Sequence, residues 1–268
     1  MLYDFSSRVA LVTGGGSGIG AACAAAFYAA GARVMLFGRT ADKLKSIAAQ
    51  LGGAHQDLSR VGWRSVDISD DDRLREAVES VLADWGPVDH LVNSAADFVA
   101  AGVGATAAQW RRSLDVNVIG TARVTALLSA TMQPGSTVVN VSSISAHIAQ
   151  PDRWTYNSTK SAIAELTRCQ AMDLAERGIR VNTVSPGWIW TPEVEKAAQG
   201  DREGSEAIWG RYHMLRRLGQ PEEVAAPVLF LSSEGSSFIT GTELMVDGGY
   251  RAMGPEGMGE TSVFAGSS

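Results

Sequence analysis

RVALVTGGGSGIG, residues 8–20, decides how this chain is read. Residues 8–13 form a short β-rich run that breaks directly into glycines. Residues 18–30 follow as an Ala-rich helix, and 33–37 as a second strand. Glycines between a strand and a helix permit a tight turn. They also let backbone N–H groups and the helix amino end approach a pyrophosphate. The informative spacing is Gly14, Gly18 and Gly20, with Ile19 pointing into the core. A generic G-x-G-x-x-A match at Gly16, Gly18 and Ala21 adds little in so glycine-rich a run.

The same alternation continues outward. Helices are expected at 41–51, 71–85, 107–132, 155–177 and 221–231, and strands at 64–66, 88–92, 137–141, 179–184 and 244–246. Strands alternating with long helices predict an α/β fold, with a seven-stranded parallel sheet and helices on both faces. One domain over residues 1–268 is expected, with no second one. The connection 48–62 has no evident task. The excursion 188–217, rich in Trp, Met and charge, reads as a substrate lid, since long excursions in compact folds are often binding loops. The tail 251–268, Gly- and Ser-rich from Gly254 on, is expected to be flexible or to reach a neighbouring subunit.

Composition narrows the function classes. With 268 residues, 45% hydrophobic and 19% charged, the chain reads as an ordinary soluble globular protein. A net charge of -6 argues against nucleic acid and against anionic membranes, both of which favour a basic face. No apolar run approaches the about eighteen residues that cross a bilayer. The first residues lack the pattern of a secretory signal, so a cytoplasmic location is expected. Cys23 and Cys169 lack metal or redox spacing and read as buried free thiols.

A second stretch, VSSISAHIAQPDRWTYNSTK at 141–160, carries the chemistry. Tyr156 and Lys160 are spaced i, i+4 and share one face of a helix. Ser143 ends the strand at 137–141. A hydroxyl, a phenol and an ammonium thus converge at the carboxyl edge of the sheet, where open α/β folds bind ligands. At the end of the second strand, where an acidic residue commonly holds the adenosine ribose, the chain reads Phe37-Gly38-Arg39-Thr40. A guanidinium there suits a phosphate on the ribose 2′ oxygen, through charge-assisted hydrogen bonds.

Taken in order, these motifs resemble the short-chain dehydrogenase/reductase family, in its compact single-domain branch. Residues 13–20 match its TGxxxGxG loop, and Asp67-Ile68 its acidic position after the third strand. Asn93-Ser94-Ala95-Ala96 stands where the family has NNAG, with two letters changed. Asn117 matches the active-site Asn, Ser143, Tyr156 and Lys160 the catalytic residues, and 186–191 the PGxxxT segment. The resemblance covers nearly everything from residue 8 to residue 250. It implies a Rossmann-like, doubly wound sheet and hydride transfer between a nicotinamide and a small-molecule alcohol or carbonyl.

On this reading the catalytic residues are Asn117, Ser143, Tyr156 and Lys160. The cofactor-binding residues are Gly14, Ser17, Gly18, Ile19, Gly20, Arg39, Thr40, Asp67, Ile68, Asn93, Ala95, Tyr156, Lys160, Pro186, Gly187, Ile189 and Thr191. NADP(H) is expected to be preferred and NAD(H) accepted, with no metal. Tyr156 is the acid/base, and Lys160 stabilises its phenolate and binds the nicotinamide ribose. Ser143 fixes the substrate oxygen, and Asn117 supports Lys160 through a water. Ser142 is expected to face away, and His147 to be a loop histidine. The substrate wall is sought among His147, Trp154, Trp188, Trp190, Trp209, Tyr212 and Met214. The resemblance also implies dimers that pair into tetramers. Two other classes stay open: a non-redox or epimerase-type relative, and a cofactor-binding sensor without turnover.

Overall fold

The computed structural model describes residues 3–55 and 58–258. Seven strands form one parallel sheet in the order β3-β2-β1-β4-β5-β6-β7. They are β1 (Val9–Thr13), β2 (Arg33–Gly38), β3 (Val61–Ser65), β4 (His90–Asn93), β5 (Thr137–Val141), β6 (Arg180–Pro186) and β7 (Glu243–Val246). β1, β4 and β5 are buried along their whole length, as strands covered on both faces must be. Alternate residues feed opposite cores. Ala10, Val12, Val34 and Leu36 pack with α1 (Gly18–Ala29) on one face. Val9, Leu11, Met35 and Phe37 pack with α3 (Asp71–Trp85) on the other.

The sheet order sets the site. From β1 the chain winds outward through β2 and β3, then returns to lay β4 beside β1. The loops leaving β1 and β4 therefore diverge and open a crevice at the carboxyl edge. Among the described residues, no helix is long and apolar enough to cross a membrane, and no cluster of three His, Cys, Asp or Glu side chains could hold a metal ion.

Two stretches differ from expectation. The connection 48–62 is largely structured: α2 spans Ala41–His55, a 3-10 turn covers Leu58–Arg60, and β3 begins at Val61. Gly62 looks like a loop residue but lies in the strand because it is tightly packed. A Cβ there would sit 2.7 Å from the Trp85 ring and 2.8 Å from the Met35 methyl. The long helix expected over 107–132 divides into α4 (Ala107–Leu114), a π-helical turn (Asp115–Gly120) and α5 (Thr121–Ser129). The excursion 188–217 folds into two short helices, α7 (Pro192–Ala197) and α8 (Arg202–Trp209). The helix bearing Tyr156 and Lys160, α6, spans Trp154–Ala175, and α9 covers Pro221–Ser232. Of the expected tail, residues 251–252 form a turn and Pro255–Met258 a 3-10 turn, and 259–268 lie outside the described residues.

Candidate active site

A cleft of about 1080 Å³ follows the carboxyl edge of the sheet. At one end lie Gly14, Ser17, Gly18, Ile19 and Gly20, with Gly38, Arg39 and Thr40 beside them. Asp67, Ile68 and Ala95 also line it, Ala95 directly against Gly14. So do Ser143, Tyr156, Lys160, Pro186, Gly187 and Ile189, and Thr191 lies against Gly18. Nearly all the residues expected from the sequence thus meet in one groove.

The glycine turn is built for close approach. Gly14 has φ +68°, and a Cβ on it would lie 2.9 Å from the Ala95 backbone. A Cβ on Gly20 would come within 2.3 Å of the Gly14 carbonyl oxygen. Thr13 locks the neighbouring loop, its Oγ1 accepting from the N–H groups of Ser94 and Ala95 at 3.1 Å each. The letter changed at Ser94 therefore falls where backbone does the holding. The amino end of α1 opens onto the cleft beside this bare backbone, an arrangement that suits a pyrophosphate. A dinucleotide fits the residues present: small backbone for its phosphates, and polar groups at both ends.

Asn93 is placed differently from expectation. Its Nδ2 donates to Thr125 Oγ1 at 3.0 Å and to Asn140 Oδ1 at 2.9 Å, so the side chain works inside the protein while 94–97 face the cleft. Asn117 is also turned inward. Its Oδ1 accepts from the Asp97 N–H at 2.7 Å, and its Nδ2 donates to the Asp97 carbonyl at 3.1 Å and to Thr159 Oγ1 at 3.0 Å. It ties the loop after β4 to α6 next to Lys160. The π-helical turn that carries it adds a residue to the helical path, a distortion common at functional sites.

At the reacting end, Lys160 is buried and donates from Nζ to the Val141 carbonyl at 2.8 Å. Burial pushes its pKa down to about 8. Its Nζ lies 5.6 Å from the centre of the Tyr156 ring. Burial raises the Tyr156 pKa, opposed by a hydrogen bond from the Ser143 side chain and by the charge of Arg153. Arg153 was not foreseen as a neighbour of the phenol. Ser142 does not idle: its Oγ donates to the Lys160 carbonyl at 2.8 Å and stitches β5 to α6.

The substrate wall is smaller than the sequence suggested. Trp188 and Trp209 line the cleft and stack with centroids 4.9 Å apart. His147 instead bonds Glu243 through Nε2 at 2.8 Å, and Trp154 is exposed. Trp190, Tyr212 and Met214 also stand apart from the cleft lining. Three other residues join it: Phe98, edge-on to Tyr156 at 4.8 Å, Gln150 and Arg153. Lys43, in the first turn of α2, faces the cleft near Arg39. Its place three residues after Thr40 was the available signal.

The chain matches the family model described as enoyl-(acyl carrier protein) reductase over residues 14–251. It is 37% identical over 262 residues to the short-chain dehydrogenase fogB of Aspergillus ruber, covering 90% of this chain and 95% of that protein. To cis-4-hydroxycyclohexanecarboxylate dehydrogenase of Sinomonas cyclohexanicum it is 36% identical over 253 residues, covering 93% and 98%. The crystal structure of L-sorbose reductase from Gluconobacter frateurii, complexed with NADPH and L-sorbose, aligns with TM-score 0.87 and 30% identity, over 94% of this chain and all 100% of that one. Likeness in sequence along nearly the whole length agrees with the sheet order and the shared cleft: the chain belongs to the short-chain dehydrogenase/reductase family, NAD(P)-dependent oxidoreductases acting on alcohol and carbonyl groups.

Proposed function

We propose that this chain interconverts a small-molecule alcohol and its carbonyl counterpart with NADP(H) as the preferred cofactor and Tyr156 as the acid/base. The observation that carries this reading is the meeting of Ser143, Tyr156 and Lys160 in the same cleft as the glycine turn. When bound, the nicotinamide supplies the donor or acceptor of the hydride. Tyr156 gives its phenolic proton to the carbonyl oxygen, or takes one from the alcohol. Ser143 holds that oxygen and stabilises charge developing on it. Lys160 and Arg153 offset the cost of a buried phenolate. Phe98, Trp188 and Trp209 limit water at the reacting carbon.

The preference for NADP(H) rests on charge at the adenosine end. Gly38 offers no carboxylate to the ribose hydroxyls, while Arg39, Thr40 and Lys43 face the same space. Lys43 supplies the second cation that the glycine loop, with Ser17, lacks. Arg39 lies 3.7 Å from Asp97, whose carboxylate is also held by Arg112 at 2.6 Å. Asp97 therefore has a partner when Arg39 turns to a phosphate. A charge-assisted hydrogen bond of this kind contributes about 1.5–3 kcal/mol, so kcat/KM should favour NADP(H) by about ten- to a hundredfold. Gly38→Asp with Arg39→Leu should reverse the order. A wild-type ratio favouring NAD(H) would sink the assignment.

Assembly into dimers or tetramers is part of the same proposal. On α6, Ile163 and Ala171 are buried, whereas Cys169 is exposed and Met172 is 81% exposed. An apolar stripe beyond the one facing the sheet needs a second cover. Light scattering at micromolar concentration should report a multiple of 28.3 kDa, and a monomer would refute this.

A further inference from the structure

The chemistry above leaves the donor groups of Arg153 unused. Its guanidinium lies over the Phe98 ring at 5.0 Å and the Trp188 ring at 5.4 Å, in the wall of the cleft. The titratable groups acting on it are the phenols of Tyr156 and Tyr250. Among the described residues it has no hydrogen bond and no ion pair. No carboxylate is among the groups acting on it. Its neighbour in sequence, Asp152, packs against Gly102, and Asp97, which lines the same cleft, is held by Arg112 and Arg39. The contrast is with Arg39, which has Asp97.

A guanidinium presents five N–H donors in a planar fork that matches a carboxylate bidentately. Half-buried between aromatic faces, it gives up water without gaining an acceptor from the protein, and burial disfavours its charge accordingly. A ligand bearing an anion resolves that deficit. Arg153 caps α6 three residues before Tyr156, and side chains so spaced on a helix are neighbours. The anion and the reacting oxygen must therefore belong to one compact molecule. Phe98, Trp188 and Trp209 supply apolar surface for its body.

Resting on the oxidoreductase reading, we propose that Arg153 binds a substrate carboxylate, which makes the substrate a small hydroxy acid or oxo acid with an apolar body. The carboxylate changes no bond in the reaction; it serves as the handle that presents the carbinol or carbonyl oxygen to Tyr156 and Ser143.

The test uses the full-length protein loaded with cofactor, and a panel of aryl and cycloalkyl hydroxy acids with their methyl esters. In the wild type, kcat/KM should favour acid over ester by about ten- to a hundredfold, chiefly through KM. In Arg153→Gln that ratio should fall to about one, and Arg153→Lys should recover part of it. Thermal melting checks that both variants fold. Calorimetry with benzoate and benzamide gives a readout without turnover: Arg153→Gln should weaken benzoate by a similar factor and remove its advantage over benzamide. Esters matching acids in the wild type would overturn the proposal. So would an acid-to-ester ratio unchanged in Arg153→Gln, which would mean that Arg153 acts on the Tyr156 phenol alone. If no alcohol or carbonyl turns over with either nicotinamide, the oxidoreductase reading fails instead. The benzoate comparison then decides Arg153 by itself.

Discussion

Tyr156→Phe is expected to lower kcat by about a thousandfold while dinucleotide binding persists. The substitution deletes one hydroxyl and keeps the ring that packs edge-on against Phe98 at 4.8 Å. The Ser143 hydroxyl and Lys160 stay in place, so hydride geometry survives while the transferable proton is gone. Single-turnover absorbance of the reduced nicotinamide reads the chemical step, and fluorescence titration reads binding. A variant retaining more than about one per cent of the rate would remove Tyr156 from the acid/base role.

Lys160→Met is expected to do two opposite things: cut turnover by about a hundredfold and make the fold more stable at neutral pH. Lys160 is buried, and its pKa of about 8 lies below the ordinary 10.5. Between those values the unfolded chain holds more protons than the folded one, so stability rises with pH across that window. Below about pH 8 both states carry the charge and the full penalty of burying it applies. That penalty corresponds to about 3 kcal/mol. Methionine fills similar space without charge but loses the bond to the Val141 carbonyl, a cost of about 1 kcal/mol. The net gain at pH 7 should be about 2 kcal/mol, or about 4 °C or more in melting temperature. It should shrink as pH rises from 8 through 10.5. Melts at pH 7 and near pH 10.5 check this, and a variant less stable than wild type at pH 7 would contradict it.

Much of the fold was legible from sequence because its signals are local. Residues 8–20 hold strand, bare backbone and helix start within thirteen positions, and the β5 bounds 137–141 follow from a buried run that is β-branched except at Asn140. The i, i+4 spacing of Tyr156 and Lys160 required only that a helix form. Residues 61–65 were harder, since Gly62 lies in a strand owing to Trp85 and Met35, contacts supplied by other elements.

What the sequence determined by itself was therefore the α/β alternation, the glycine turn and the catalytic spacing, each written in periodicities of a few residues. What only the tertiary structure decided was the company these residues keep. Asn93 turns into the sheet because Asn140 and Thr125 receive it there, and His147 leaves the substrate wall for Glu243. Lys43 and Arg153 reach the cleft because the return of the chain from β3 to β4 opens a crevice beside α2 and α6. Such contacts join residues dozens of positions apart, and their energies depend on burial and direction, which no local pattern encodes.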